Sequence, residues 1–304
     1  MKKTILIAVA AMLLLGVTSC NKDQDGVYNP QKKISKIYLS YESEYCWSGD
    51  TDIYSEPRHL SEEWEWSGKQ LVSRTLYSSD GSICEKYTYT YDDKRLSRID
   101  WNDLSQNVTG YTTFAYDGKE LTSADVYEGY VTPSYDCTYR FTHTDGKITS
   151  VELFGGNKKA GVHNNDIIMD ILFPMDVWAK YLQVRKASKD LDAVGDRLEL
   201  TWSGNNISQI KFSDGATYAF TYDGKKSPFY GMWRYLEFNS EDLNKENVQT
   251  RTYSGPNMYR SNTTYSYTYS DDYPMTCSVK YSSNNLQTMN WENSIERYEY
   301  EYLK

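Results

Sequence analysis

The residue types that most often carry chemistry are sparse in this chain. Its three histidines are His59, His143 and His163. No HExxH, GxSxG, P-loop or GxGxxG stretch accompanies them, so the common metal, acyl-transfer and phosphate chemistries have no local signature. His143 alternates within a strand-like stretch, while His59 and His163 have loop-like surroundings, and each reads as structural or solvated. Cys46, Cys84, Cys137 and Cys277 are widely and irregularly spaced, without a CxxC or CxxH pair that would mark zinc. Four thiols allow three disulfide pairings, and free thiols buried on strands fit the spacing equally well. Asp23-Gln24-Asp25-Gly26 begins like a calcium loop but lacks the downstream acids. Carboxylates are plentiful, yet the separation that would make two of them a glycosidase pair is not written in sequence. No catalytic residue, metal or cofactor is therefore assigned. Two connecting stretches do hold aromatic residues that could line a ligand cleft: Trp178 and Tyr181 in one, Phe229, Tyr230 and Trp233 in the other.

The start of the chain carries a different chemistry. "MKKTILIAVAAMLLLGVTSC" has a basic opening, an apolar run from Ile5 to Val17 and small residues leading to Cys20, the layout of a secretory signal. The run is too short to span a bilayer. Val17-Thr18-Ser19-Cys20 resembles the lipobox of bacterial lipoproteins, in which the cysteine thiol takes a diacylglyceryl group; the alternative is ordinary secretion with a stray cysteine. This predicts a signal over residues 1–19, lipid attachment at Cys20 and a flexible tether over 20–34, because Asn21 to Lys33 is polar, with Gly26 and Pro30 and no hydrophobic period. Lys22-Asp23-Gln24-Asp25 looks like the charged export signal of surface lipoproteins, or is a solvated spacer.

Composition limits what the rest can be. Tyrosine, at 30 residues, is the outlier, and with 39% hydrophobic residues and a mean hydropathy of -0.72 the core must be thin and largely aromatic. Tyrosine suits that role because its ring packs while its hydroxyl stays wet. A net charge of -9 argues against nucleic acid, which needs a basic stripe.

A repeat runs through residues 35–304. "YTYTYDDKRLSRI" from Tyr87 recurs as "WEWSGKQLVSRTLY", "YTTFAYDGKELTSADVY", "YRFTHTDGKITSVELF" and "LELTWSGNNISQIKF". Each unit reads as a β-hairpin: alternating Tyr and Thr favour a half-buried strand, a Ser-Gly, Asp-Asp or Asp-Gly turn tolerates positive φ, and Leu or Ile opens the return strand. The expected fold is all-β, an antiparallel meander of a dozen or more strands, curled or closed into a barrel so that no long edge is left open. Most strands look shorter than the 9 to 11 residues of membrane barrels, and charges occupy the alternate face, so the barrel reads as water-soluble. Two stretches break the repeat. "NNDIIMDILFPMDVWAKYLQVRK" has helical spacing and predicts a short helical insertion at about 160–190, and "KKSPFYGMWRYLEFNSEDLNKENV" is a long connection. Such insertions plug or cover a sheet face, or line a cleft.

The units "YTYDDKRLSRI" and "FAYDGKELTSA", the lipobox and Ser227-Pro228-Phe229-Tyr230 together resemble a family of lipoproteins from gut Gram-negative bacteria with a porin-like domain. The resemblance implies a location at the outer membrane, facing either periplasm or exterior, and brings no catalytic residues. The expected role is a non-enzymatic, membrane-anchored binding or structural module whose partner is a glycan or another envelope protein. A carbohydrate-binding protein and a glycan-active enzyme are the alternatives.

Overall fold

A computed structural model describes residues 24–47, 49–104, 107–155, 197–234, 239–255, 259–285 and 291–304. Sixteen strands close into one antiparallel barrel in which each strand pairs with its sequence neighbours. They are β1 (Ile34–Trp47), β2 (Asp50–Ser67), β3 (Gln70–Tyr77), β4 (Ile83–Asp92), β5 (Arg95–Asp103), β6 (Val108–Asp117), β7 (Glu120–Gly129) and β8 (Ser134–Thr144), then β9 (Lys147–Gly155), β10 (Arg197–Ser203), β11 (Asn206–Phe212), β12 (Thr217–Lys226), β13 (Glu246–Ser254), β14 (Tyr259–Ser270), β15 (Tyr273–Asn285) and β16 (Trp291–Tyr302). β16 returns to β1, from Ile34↔Tyr302 to Cys46↔Trp291, and closure leaves the sheet without free end strands.

The repeat is legible atom by atom. Its turns fall one residue later than the sequence suggests, on Gly68-Lys69 between Ser67 and Gln70 and on Asp93-Lys94 between Asp92 and Arg95. Asp271 and Asp272 both take positive φ, 50° and 67°, which short polar side chains tolerate in a tight hairpin. Three residues past the turn the return strand bulges, at Ser97 (between Thr90↔Arg98 and Tyr91↔Leu96) and likewise in β7, β9 and β11. At each bulge a hydroxyl returns to a carbonyl on the partner strand: Ser97 to Thr90, Thr122 to Ala115, Thr149 to Thr142 and Ser208 to Thr201, at 3.0 to 3.2 Å.

At five places an aromatic residue near the end of the first strand of a unit completes it. Trp66, Tyr91, Tyr116, Trp202 and Tyr222 donate to the carbonyls of Ile34, Leu71, Leu96, Ile148 and Ile207 in the neighbouring hairpin, at 2.5 to 2.9 Å. An aromatic with a polar tip is required there, because the ring packs inward while the tip satisfies a backbone acceptor. His143 occupies the same place in its hairpin. Its Nε2 instead meets Asp25 Oδ2 at 2.8 Å, and Asp25 also accepts from the Leu121 amide at 2.9 Å.

Alternation sorts the two faces. On β4, Tyr87 and Tyr89 are buried while Lys86, Thr88, Thr90 and Asp92 are exposed. β14 places Tyr265, Tyr267 and Tyr269 on the half-buried face and Ser266, Thr268 and Ser270 outside. Exposed ion pairs such as Arg58–Glu299 (2.9 Å) and Arg297–Glu42 (3.1 Å) decorate the outer wall. A membrane-spanning barrel has the reverse arrangement, an apolar band outside and polar residues within. This wall faces water.

Three expectations change. Only β3, β10 and β11 are shorter than 9 residues, because the bulges let strands continue where simple alternation breaks. His59 lies on β2 rather than in a loop. The supposed tether has fixed partners from Gln24 onward: Asp25 NH bonds the Lys119 carbonyl, Gly26 abuts the Tyr116 ring, and Tyr28 is buried. Residues 24–33 therefore belong to the tight-turn end of the barrel.

Candidate functional site

Residues 227–234 and 239–245 follow β12 from the tight-turn end and pack into the interior, as one of the two readings of this stretch expects. Pro228 is fully buried and its carbonyl accepts from the Tyr28 hydroxyl at 2.6 Å. Gly231 has φ 80°, and a Cβ there would lie 2.9 Å from the Val27 carbonyl, so the plug and the N-terminal segment pass too closely for a side chain. A 3-10 turn at Ser240–Leu243, capped by Asn239, reverses the plug. The Asn244 side chain then accepts from the Ile207 amide at 2.7 Å.

The sequence candidates are placed as follows. Phe229 packs between Trp64 (6.3 Å) and Tyr300 (6.2 Å), with the Arg234 guanidinium 4.2 Å from its ring. Tyr230 is half-buried with Lys245 Nζ 5.3 Å away. Trp233 meets Phe114 and Phe141 edge-on at 5.0 and 6.0 Å. It touches both hydrophobic clusters of the barrel, one built on β1–β6 with Tyr300 and the other on β7–β13. Cys20, His163, Trp178, Tyr181 and the proposed helical insertion lie outside the described residues. Cys46, Cys84, Cys137 and Cys277 are free thiols, which decides between the two readings of the cysteines. Burial pushes the Cys277 thiol up to about 12, so it is chemically inert.

Charged groups are confined inside with the plug. Arg74 is fully buried and binds Glu62 through Nε (3.0 Å) and Nη2 (2.7 Å), the Arg234 carbonyl, and the Tyr89 hydroxyl (3.4 Å). Arg234 Nε meets Asp242 at 2.6 Å and Arg251 meets Glu241 at 3.0 Å. Glu85 and Asp103 are cross-strand neighbours facing the interior. These carboxylates are locked among packed side chains, and no group of them among the described residues could hold a metal.

Burial pushes the Asp242 carboxyl up to about 6, although Arg234 opposes the shift. It also raises Glu85 and Glu296, against hydrogen bonds from Tyr87 and Tyr298. The folded chain thus retains protons that the unfolded chain releases near pH 4. Their contribution to stability is complete below that pH and is lost as pH rises through about 4 to 6. The melting temperature is expected to be higher at pH 5 than at pH 7, with the gap reduced in an Asp242→Asn variant. A melting temperature independent of pH over that interval would contradict the assignment.

A second aromatic group escaped the sequence reading because it points the other way. Tyr111, Tyr127 and Tyr135 are neighbours across β6, β7 and β8 and lie on the outer wall. Tyr111 and Tyr127 stack at 4.5 Å, and Tyr127 meets Tyr135 edge-on at 5.8 Å. Arg98, bidentate to Asp100, covers the free face of Tyr111 at 3.7 Å. Residues 129–133 then present Tyr130 and Val131, 60% and 87% exposed, beside Leu104 at 59%. Between them lies a cleft of about 350 Å³ lined by Asn102, Asp103, Asn107, Thr109, Tyr130 and Val131.

No family model matches the sequence, and no curated protein is similar to it by sequence. Among solved structures, a porin-like protein from Bacteroides uniformis is similar over 92% of this chain and 100% of its own, at 10% identity and a TM-score of 0.48. A porin-like protein from Bacteroides vulgatus is similar over 90% of this chain and 99% of its own, at 8% identity and a TM-score of 0.38. The closed barrel itself rests on its strand pairing.

Proposed function

We propose that the chain is a lipid-anchored envelope lipoprotein of a Gram-negative outer membrane, acting as a non-enzymatic binding or structural module. The observation that carries this reading is the inversion of the barrel: aromatic side chains and a plug occupy the interior, while a polar, ion-paired wall faces out. A molecule built this way offers its outer surface and rims to partners, and attachment to a membrane falls to the lipid at Cys20. Two acyl signals on one cysteine suffice for stable anchoring.

Orientation follows from the short reach of the chain. Asp25 is fixed on the barrel, and the four Cα steps from Cys20 to Gln24 span at most about 15 Å. The tight-turn end therefore sits against the bilayer and the opposite rim, with Tyr130 and Val131, points away from it. Metabolic labelling with an alkyne-tagged palmitate is expected to mark the wild-type chain and to leave Cys20→Ala unmarked and unprocessed. Equal labelling of the two chains would rule out attachment at Cys20.

A further inference from the structure

The rim between the β5–β6 and β7–β8 connections sets a cleft beside an outward-facing row of aromatic side chains. Its aromatic row divides into a supporting and a presenting part. Tyr111 has one face against Tyr127 and the other against Arg98, so it braces the wall. Tyr135 is turned by 75° from Tyr127, and its hydroxyl reaches Thr138 Oγ1 at 3.0 Å and the Phe154 carbonyl at 3.4 Å. The ring therefore lies along the wall over β8 and β9, and it is 42% exposed. Tyr130 stands at the mouth of the cleft.

The presenting loop is held in shape. A Cβ on Gly129 would lie 2.5 Å from the Thr132 carbonyl, and Ser134 Oγ donates to the Glu128 carbonyl at 3.3 Å. The loop backbone and the Tyr135 ring are thus in place before a ligand arrives, which favours binding.

The polar groups indicate what that ligand is. Asn102, Asn107 and Thr109 supply amide and hydroxyl groups that both donate and accept. Of the charged side chains around the row, Arg98 is paired with Asp100 and Arg197 with Glu152 at 3.3 Å, and Asp125 accepts from Thr138 at 2.5 Å. Asp103 also lines the cleft but is buried, so the groups the cleft turns toward a ligand are chiefly amides and hydroxyls. An extended peptide finds no backbone to pair with, because β5 to β8 are paired on both sides. A ligand with flat C–H faces for tyrosine and many hydroxyls for amides fits both halves, and the cleft lies at the small end of ligand-sized cavities, about 300–1,000 Å³.

We propose that this rim binds a neutral oligosaccharide, with Tyr130 and Tyr135 stacking on sugar rings and Asn102 and Asn107 bonding hydroxyls. This rests on the reading of the chain as a binding module and names the ligand class for it. The test is calorimetric titration of the full chain in detergent with five neutral hexasaccharides: cello-, xylo-, manno-, chito- and maltohexaose. At least one is expected to bind, and Tyr130→Ala or Tyr135→Ala is expected to weaken it about tenfold or more. Tyr54→Ala, an exposed tyrosine on the β1–β2 hairpin, should leave affinity unchanged. Both rim side chains are solvent-facing, so unchanged melting temperatures will show that the variants fold. Absence of binding to all five sugars overturns the proposal, as does binding that neither rim substitution weakens. Palmitate labelling at Cys20 is read independently, so failure here is distinguishable from failure of the anchoring.

Discussion

Replacing Arg74 by alanine is expected to cost about 3–5 kcal/mol of folding stability, the range for removing one partner of a buried ion pair. The guanidinium is fully buried on β3, forked onto Glu62 of β2, and bonded to the Arg234 carbonyl of the plug. It also lies 5.2 Å from the Trp64 ring and 5.4 Å from Tyr87. Alanine leaves the largely buried Glu62 carboxylate without its counter-charge and frees a plug carbonyl in an apolar setting. Arg74→Lys will not rescue it fully, since an ammonium cannot form the fork. Urea unfolding measures the effect, and a loss below about 1 kcal/mol, the level of an exposed pair, would show that Arg74 does not bind the plug to the wall.

Trp233→Ala is expected to cost a similar amount, about 3–5 kcal/mol, by leaving a large cavity. The reason is positional. The barrel has two hydrophobic clusters, and Trp233 packs against both, edge-on to Phe114 and Phe141. Without it the plug keeps Phe229 seated on Trp64 but loses its hold on the β7–β13 side. Near-ultraviolet circular dichroism should lose intensity along with the lower urea midpoint, whereas a local surface role would change neither. Because Arg74 binds the Arg234 carbonyl next door, the Arg74→Ala/Trp233→Ala pair should be less destabilised than the sum of the two.

Much of this scaffold could be read in the sequence, and for a physical reason. A hairpin is a local object, so Tyr-Asp-Gly or Trp-Ser-Gly followed by Leu or Ile announces a turn and the apolar return beside it. The purpose of the tyrosine before the turn could not be read, because its acceptor lies in another hairpin, as with Tyr91 and the Leu71 carbonyl. Nor could the unusual place of His143, since its partner Asp25 is 118 residues away in sequence. Asp25 and Tyr28 look like polar linker until the barrel exists to receive them.

The ligand candidates divide in the same way. Phe229 and Trp233 were found by composition, but tyrosine and tryptophan suit either face of a half-buried sheet, so composition could not foresee that both pack inside. Tyr111, Tyr127 and Tyr135 were missed because a row across three strands depends on register. Bulges at Ala115/Tyr116 and Val126/Tyr127 set that register, and local alternation does not reveal them.

The central claim is that the barrel is closed, filled by its own plug and faced with polar residues, so that its wall does not insert into a membrane. Its most direct test is to express residues 24–304 and separate them between water and detergent at the cloud point. The account predicts a folded, antiparallel-β protein in the aqueous phase. Recovery of the folded barrel only from the detergent phase would mean that the wall itself inserts into the bilayer, and the account would be wrong.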